Sequence, residues 1–203
     1  MITQSFCIAF IVSYLGSIPP GTINVSVMQL SILRRHRAAI FLSLAACLVE
    51  FIYAGITVQF QLYLNQNPEI AYYLRLVTAI ALIGLGAINL LIRSQNEAIQ
   101  VDEKLKGRHG FLRGLILGFL NPMTIPFWLA ITTYLESERW VALDGSGYWF
   151  YLLGLTVGTF MLLITINTLG KRFGKIANNQ LVVRQIPGML LLGLGLYYLL
   201  KLI

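Results

Sequence analysis

A chain of 203 residues that is 57% hydrophobic and only 11% charged has too little polar sequence to wrap a water-soluble core. Its mean hydropathy of +0.75 and its long uncharged runs read as membrane spans. The net charge of +7 does not point to nucleic acid, because the basic residues sit in short loops between apolar runs.

The expected class is an all-α integral membrane protein with six transmembrane helices. Residues Met1 to Cys7 carry no Lys or Arg ahead of the first apolar run, so the opening reads as a span rather than a cleaved signal peptide. Span one runs from about Thr3 to Leu33 and is interrupted by Gly16-Ser-Ile-Pro-Pro-Gly-Thr-Ile-Asn24. Pro19 and Pro20 lack N–H groups and their rings clash with carbonyls one turn back, so the C=O groups of Leu15 and Gly16 lose their helical partners. Unpaired backbone in hydrocarbon costs several kcal/mol per group, so such a break survives only inside protein or beside a wet cavity.

The Arg34-Arg35-His36-Arg37 loop leads into span two, about Ala38 to Leu64, which ends at the polar turn Asn65 to Glu69. Span three covers about Ile70 to Ile92. The mixed-sign segment Arg93 to Gly110 then separates two halves, 1–100 and 101–203. Span four, about Phe111 to Leu135, carries a second break from Gly118 to Pro126. An acidic loop with Glu136, Glu138 and Asp144 precedes span five, about Tyr148 to Leu169, and span six runs from about Ile186 to Ile203.

The two breaks align at an offset of 102, with Gly16/Gly118, Pro20/Pro122, Thr22/Thr124 and Ile23/Ile125 identical. Spans three and six share a Gly-Leu-Gly pattern at Gly84 and Gly193, an offset of 109. Three spans per half is an odd number, so the second copy enters from the opposite side, giving two inverted three-helix repeats with helices 1 and 4 broken by Pro. Paired broken helices in matching halves point to a transporter's binding site.

Arg34, Arg35, Arg37, Arg93, Lys104, Lys106, Arg108, Arg113, Lys171, Arg172, Lys175 and Arg184 all fall on one side of this topology. That side is expected to be cytoplasmic, leaving both termini outward. Tyr63, Tyr72, Tyr73, Tyr134, Trp140, Tyr148, Trp149, Tyr151, Tyr197 and Tyr198 gather towards the opposite boundary, where interfacial rings sit.

Glu50 is the one carboxylate inside an apolar span. A charge at the bilayer centre costs a few kcal/mol even on lenient insertion scales, so it marks an ion or proton path; the plainer alternative is a carboxyl bonded to a neighbouring helix. Ser43, Cys47, Glu50, Ala54, Thr57 and Gln61 share one helical face around it. Half-helix N-termini after Pro20 and Pro122 suit a carboxylate, while freed carbonyls at Leu15, Gly16 and Gly118 suit an ammonium or a cation. Asn24 and Asn121 add amide groups at the same depth. The expected binding and coupling set is therefore Glu50, Gly16, Pro19, Pro20, Gly21, Asn24, Asn121 and Pro122, and it suits a small zwitterion. Arg75 reads as a snorkelling interfacial cation, Asn89 and Asn167 as packing hydrogen bonds, Gly154 and Gly158 as a close helix contact, and His36 and His109 as solvated. No catalytic triad, nucleotide loop, metal-spaced Cys/His cluster or cofactor motif is visible, so neither an enzyme nor a cofactor is expected.

The Gly16–Asn24 pattern, the basic loop, the Glu-bearing Leu48-Val-Glu-Phe-Ile-Tyr53 and Asn121-Pro122 together resemble the LysE/RhtB-type amino-acid exporters of the lysine exporter superfamily, over nearly the whole chain. Thr22 follows Pro20-Gly21 where that family usually has Pro, and Met123 stands where a Lys commonly follows Asn-Pro, as in a divergent branch. The resemblance implies a multi-pass protein of the bacterial inner membrane that exports amino acids or related small solutes against a proton or other ion gradient. The superfamily also holds metal-ion and thiol-electron carriers. A divalent-cation exporter is disfavoured by the single membrane carboxylate. A thiol-redox protein built on Cys7 and Cys47 is disfavoured because span four has no matching cysteine. Small residues in spans three, five and six permit helix association within one chain or in a homo-oligomer.

Overall fold

The computed structural model describes residues 2–18, 21–91, 107–121, 124–172 and 185–200. Pro19, Pro20 and Pro122, and the connection around 93–106, lie outside the described residues, as do the side chains of Arg75 and Asn89. Among the described residues all regular secondary structure is helical: α1 (Ile2–Gly16), α2 (Thr22–Ile32), α3 (His36–Gln66), α4 (Pro68–Leu91), α5 (Gly107–Phe119), α6 (Thr124–Ser137), α7 (Gly145–Thr168) and α8 (Ile186–Leu200). The expected breaks separate α1 from α2 and α5 from α6, and the latter pair meet at 65°. The polar turn expected over Asn65 to Glu69 shrinks to Asn67, whose Nδ2 donates to the Tyr63 carbonyl at 3.0 Å. Pro68 can open α4 at once, because the first residue of a helix needs no N–H.

α3 shows why the chain belongs in a bilayer. Ile40, Leu44, Leu48, Ile52 and Ile56 recur every four residues and are all exposed, whereas Ser43, Thr57 and Gln61 on the opposite face are buried. Apolar outside and polar inside is the inverse of a soluble helix. The helical part His36–Tyr63 and α7 are each long and apolar enough to cross a membrane, and the bent pair α5 and α6 passes the same test together.

Small residues set the packing. Gly154 and Gly158 of α7 face the carbonyls of Phe6 and Phe10 on α1, and a Cβ at either glycine would land on them. Gly110 and Gly114 of α5 do the same against Ala38 and Leu42 on α3. Backbones this close gain dispersion that lipid tails cannot match. α1 therefore pairs with α7, α3 with α5 and α4 with α8, while α3 and α7 meet at the centre. One apolar cluster, with Leu30, Leu42, Leu163 and Ile166, fills the end that carries the Arg34–Arg37 loop, hereafter the basic end. A second, with Val58, Trp128, Leu135, Tyr151 and Leu155, fills the opposite end. Tyr151 is wholly buried there with its hydroxyl 2.8 Å from that of Thr132, so it is a core residue and not one of the interfacial rings.

The two post-break helices end alike. After α2, Arg34 is left-handed (φ 59°), and the N–H groups of Arg35 and Arg34 bond the carbonyls of Leu30 and Ser31. After α6, Arg139 is left-handed (φ 57°), and the N–H groups of Trp140 and Arg139 bond Leu135 and Glu136. These are matching helix stops of the Schellman type, each holding a non-glycine residue in a conformation that costs it about 1–2 kcal/mol.

Candidate functional site

The break after α1 is repaired locally. The Ile18 N–H bonds the Leu15 carbonyl at 3.2 Å in a tightened turn, and Asn24 Nδ2 donates to the Ser17 carbonyl at 2.7 Å. At the second break the Asn121 N–H bonds the Gly118 carbonyl at 3.2 Å. The carbonyls of Leu15 and Gly118, expected to be free for a cation, are thus already taken, because a terminal helical turn tightens to satisfy its own acceptors. What the breaks leave is their ends. Gly16 and Gly118 close two half-helices, Thr22 and Thr124 open two others, and all four line one cavity of about 400 Å³.

The remaining wall is supplied by α3, α6 and α7. From α3 come Ala46, Val49, Glu50 and Tyr53; from α6, Phe127 and Trp128; from α7, Thr159 and Leu163. Phe127 closes over Gly16, where a Cβ would sit 3.1 Å from the ring edge, so the missing side chain at Gly16 lets the two breaks touch. Glu50 is the only charged side chain among the described lining residues.

Glu50 is held by two donors. Trp128 Nε1 donates to its Oε1 at 3.1 Å, and the Thr159 hydroxyl bonds it as well. The row continues: the Thr159 hydroxyl lies 2.6 Å from that of Ser13, and Ser13 Oγ donates to the Leu155 carbonyl at 2.7 Å. The carboxyl is therefore tied through two hydroxyls to α1, one turn before its break.

Of the expected site residues, Glu50, Gly16, Gly21, Asn24 and Asn121 come together on the cavity wall, and Pro19, Pro20 and Pro122 lie outside the described residues. Trp128 and Thr159, the two contacts of Glu50, were not anticipated. A Trp six residues beyond Pro122, far from either interfacial belt, and a Thr beside the close-packing Gly158 are the sequence signals that mark them. His36, expected to be solvated, is exposed and also places Nδ1 3.0 Å from Asn167 Oδ1, while Asn167 does serve helix packing. Both cysteines are free, Cys7 exposed and Cys47 buried. No group of three or more potential metal ligands occurs among the described residues.

Comparison with known proteins gives one match. The family model described as LysE type translocator covers residues 14–202. No curated protein and no solved structure is significantly similar to the chain.

Proposed function

As a member of the LysE type translocator family the chain is a multi-pass membrane transporter, and we propose that it exports amino acids or related small zwitterions in exchange for protons. The observation that carries this reading is a cavity with a single carboxylate at the meeting point of four half-helix ends. A solute ammonium pairs with Glu50, while its carboxylate takes the partial positive charge at the starts of α2 and α6. Phe127, Val49 and Leu163 leave a neutral wall for the side chain. Divalent-cation export draws no support from a cavity with one described carboxylate.

Six spans arranged as two inverted repeats, 1–100 and 101–203, are part of the same proposal. Exchanging spans one and four, two and five, and three and six turns the α1–α7 contact into the α5–α3 contact and leaves α4–α8 and α3–α7 unchanged, and these are the four most extensive packings, although α2 on α3 has no equal counterpart in α6 on α7. The matching stops at Arg34 and Arg139 support it further. With the basic end cytoplasmic, in a bacterial inner membrane, both termini face outward.

The hydroxyl row gives the proton a structural effect. With Glu50 protonated, three donors fill three links: Glu50 to Thr159, Thr159 to Ser13, and Ser13 to the Leu155 carbonyl. With Glu50 ionised, Thr159 turns its proton to the carboxylate, and Ser13 must choose between Thr159 and Leu155. One link between α1 and α7 is then lost, beside the break that lines the cavity.

The test is efflux of a mixed panel of labelled amino acids from proteoliposomes under an imposed pH gradient, against protein-free vesicles. At least one zwitterion is expected to leave faster with the protein; if none does, the proposal fails. Once a solute is in hand, Trp128→Phe should slow its efflux about tenfold at unchanged protein level, because the ring bulk stays while a hydrogen bond to a charged group is lost.

A further inference from the structure

Two side-chain clasps flank the cavity, one towards each end of the bundle. Towards the end opposite the basic loops, Gln61 of α3 is 3% exposed and fixed at both ends of its amide. The Thr133 hydroxyl donates to its Oε1 at 2.6 Å, and its Nε2 donates to Glu136 Oε2 at 2.9 Å. Both partners sit on α6, three residues apart and so on one face. Gln61 lies 11 residues beyond Glu50, about 16 Å along the helix.

At the basic end, Asn167 of α7 is held by one contact from α2 and one from α3. The Ser31 hydroxyl of α2 donates to its main-chain carbonyl, and His36 Nδ1 reaches its side-chain oxygen. Gly170 packs so closely on Ser31 that a Cβ there would collide with the hydroxyl. Asn167 lies 8 residues beyond Thr159 in the opposite direction, about 12 Å from the cavity level.

The clasps correspond through the chain. Counted from the helix starts Thr22 and Thr124, an offset of 102, Ser31 matches Thr133; counted from the stops Arg34 and Arg139, an offset of 105, it matches Glu136. The difference of three is about one helical turn, so both matches fall on one face of α6, and both residues hold Gln61. α2 and α6 thus share a design: a first residue on the cavity wall and a far end fastened to an amide residue of the opposite half.

We infer that α2 and α6 are the two gates of the cavity, each pivoting near its first residue and latched at its far end, α2 by Ser31 on Asn167 and α6 by Thr133 and Glu136 on Gln61, and that transport opens one latch at a time. This rests on the transport reading, but its test needs no solute, so the two fail separately.

The experiment places a reporter on the cavity wall, Ser17→Cys, in a Cys7→Ala, Cys47→Ala background. It measures labelling by a membrane-impermeant maleimide from each face of oriented vesicles. Thr133→Val, which keeps the side-chain volume, should raise labelling from the Glu136 face about tenfold, the factor one buried hydrogen bond carries, and lower it from the basic face. Ser31→Ala should do the reverse. Gln61→Leu releases the same gate from the α3 side and should reproduce Thr133→Val, which guards against a variant that merely folds badly. Equal increases from both faces in either variant, opening of only one end across the set, or labelling unchanged within twofold would overturn the inference.

Discussion

In Glu50→Gln, efflux driven by a proton gradient falls at least a hundredfold, while exchange of solute across the membrane at equal pH persists. The substitution is nearly isosteric, and the new amide oxygen still accepts the Trp128 N–H, so the wall of the cavity keeps its shape. What disappears is the group that alternates between carboxyl and carboxylate. The amide cannot release a proton and take up another, so the row through Thr159 and Ser13 no longer changes with protonation. It also offers a solute ammonium only a neutral partner, and losing a charge-assisted contact of up to about 3 kcal/mol slows exchange at equal pH as well, so exchange persists at a reduced rate while gradient driving is lost in addition. Proteoliposomes loaded with the solute found in the panel, with and without a pH gradient, give both numbers. Retention of full gradient-driven efflux in Glu50→Gln would make the carboxyl a structural group, bonded to Trp128 and Thr159 for packing alone.

The second large effect is on folding. Gly114→Leu and Gly154→Leu each place side-chain atoms where the Leu42 or Phe6 carbonyl already stands, and a backbone carbonyl cannot rotate away as a flexible side chain would. Both substitutions improve helix propensity by close to 1 kcal/mol, so propensity alone predicts stabilisation. Overpacking acts with the opposite sign and the larger size, about 3 kcal/mol, leaving a net loss of about 2 kcal/mol that lowers the unfolding midpoint by roughly 4–8 °C for a chain of this length. Gly193→Leu is the control, because a Cβ at Gly193 meets nothing within 4 Å. A thermal scan of the three variants in one detergent decides it. Equal midpoints would mean that the helices separate without loss and that the glycines are not what holds α1 to α7 and α5 to α3.

The sequence displayed its exceptions clearly and its contacts poorly. Glu50 stood out because a carboxylate is costly in hydrocarbon whatever surrounds it, and the breaks stood out because proline removes a donor in any context. The helical face of Ser43, Thr57 and Gln61 was legible for the same kind of reason, since polar residues recurring at helical spacing cannot all face lipid. Trp128 and Thr159 were not legible. Trp and Thr are ordinary in membrane helices, and which neighbour each meets depends on how α6 and α7 rotate against α3. That rotation is set by glycines elsewhere in the chain. His36 was legible as a solvent-facing residue from its basic neighbours, but not its contact with Asn167, which depends on α3 opening beside the last turn of α7. The freed carbonyls were misjudged because a break was treated as leaving its acceptors empty, whereas a tightened turn fills them at little cost.

The pairing of α1 with α7 bears on how the chain is made. Ser5 and Ser13 of α1 are wholly buried, and their partners are the Ala142 N–H, the Leu155 carbonyl and Thr159, all in the second half. Between the end of α1 at Gly16 and the end of α7 at Thr168 the ribosome adds 152 residues, which at usual synthesis rates takes about 8–30 seconds. Throughout that interval α1 is in the bilayer without the helix that shelters its serines. Two hydroxyls, each able to turn back onto its own helix, can wait in lipid where a carboxylate could not. Glu50 on α3 waits for the same α7, and for α6, so it waits as the neutral acid until Trp128 and Thr159 reach it.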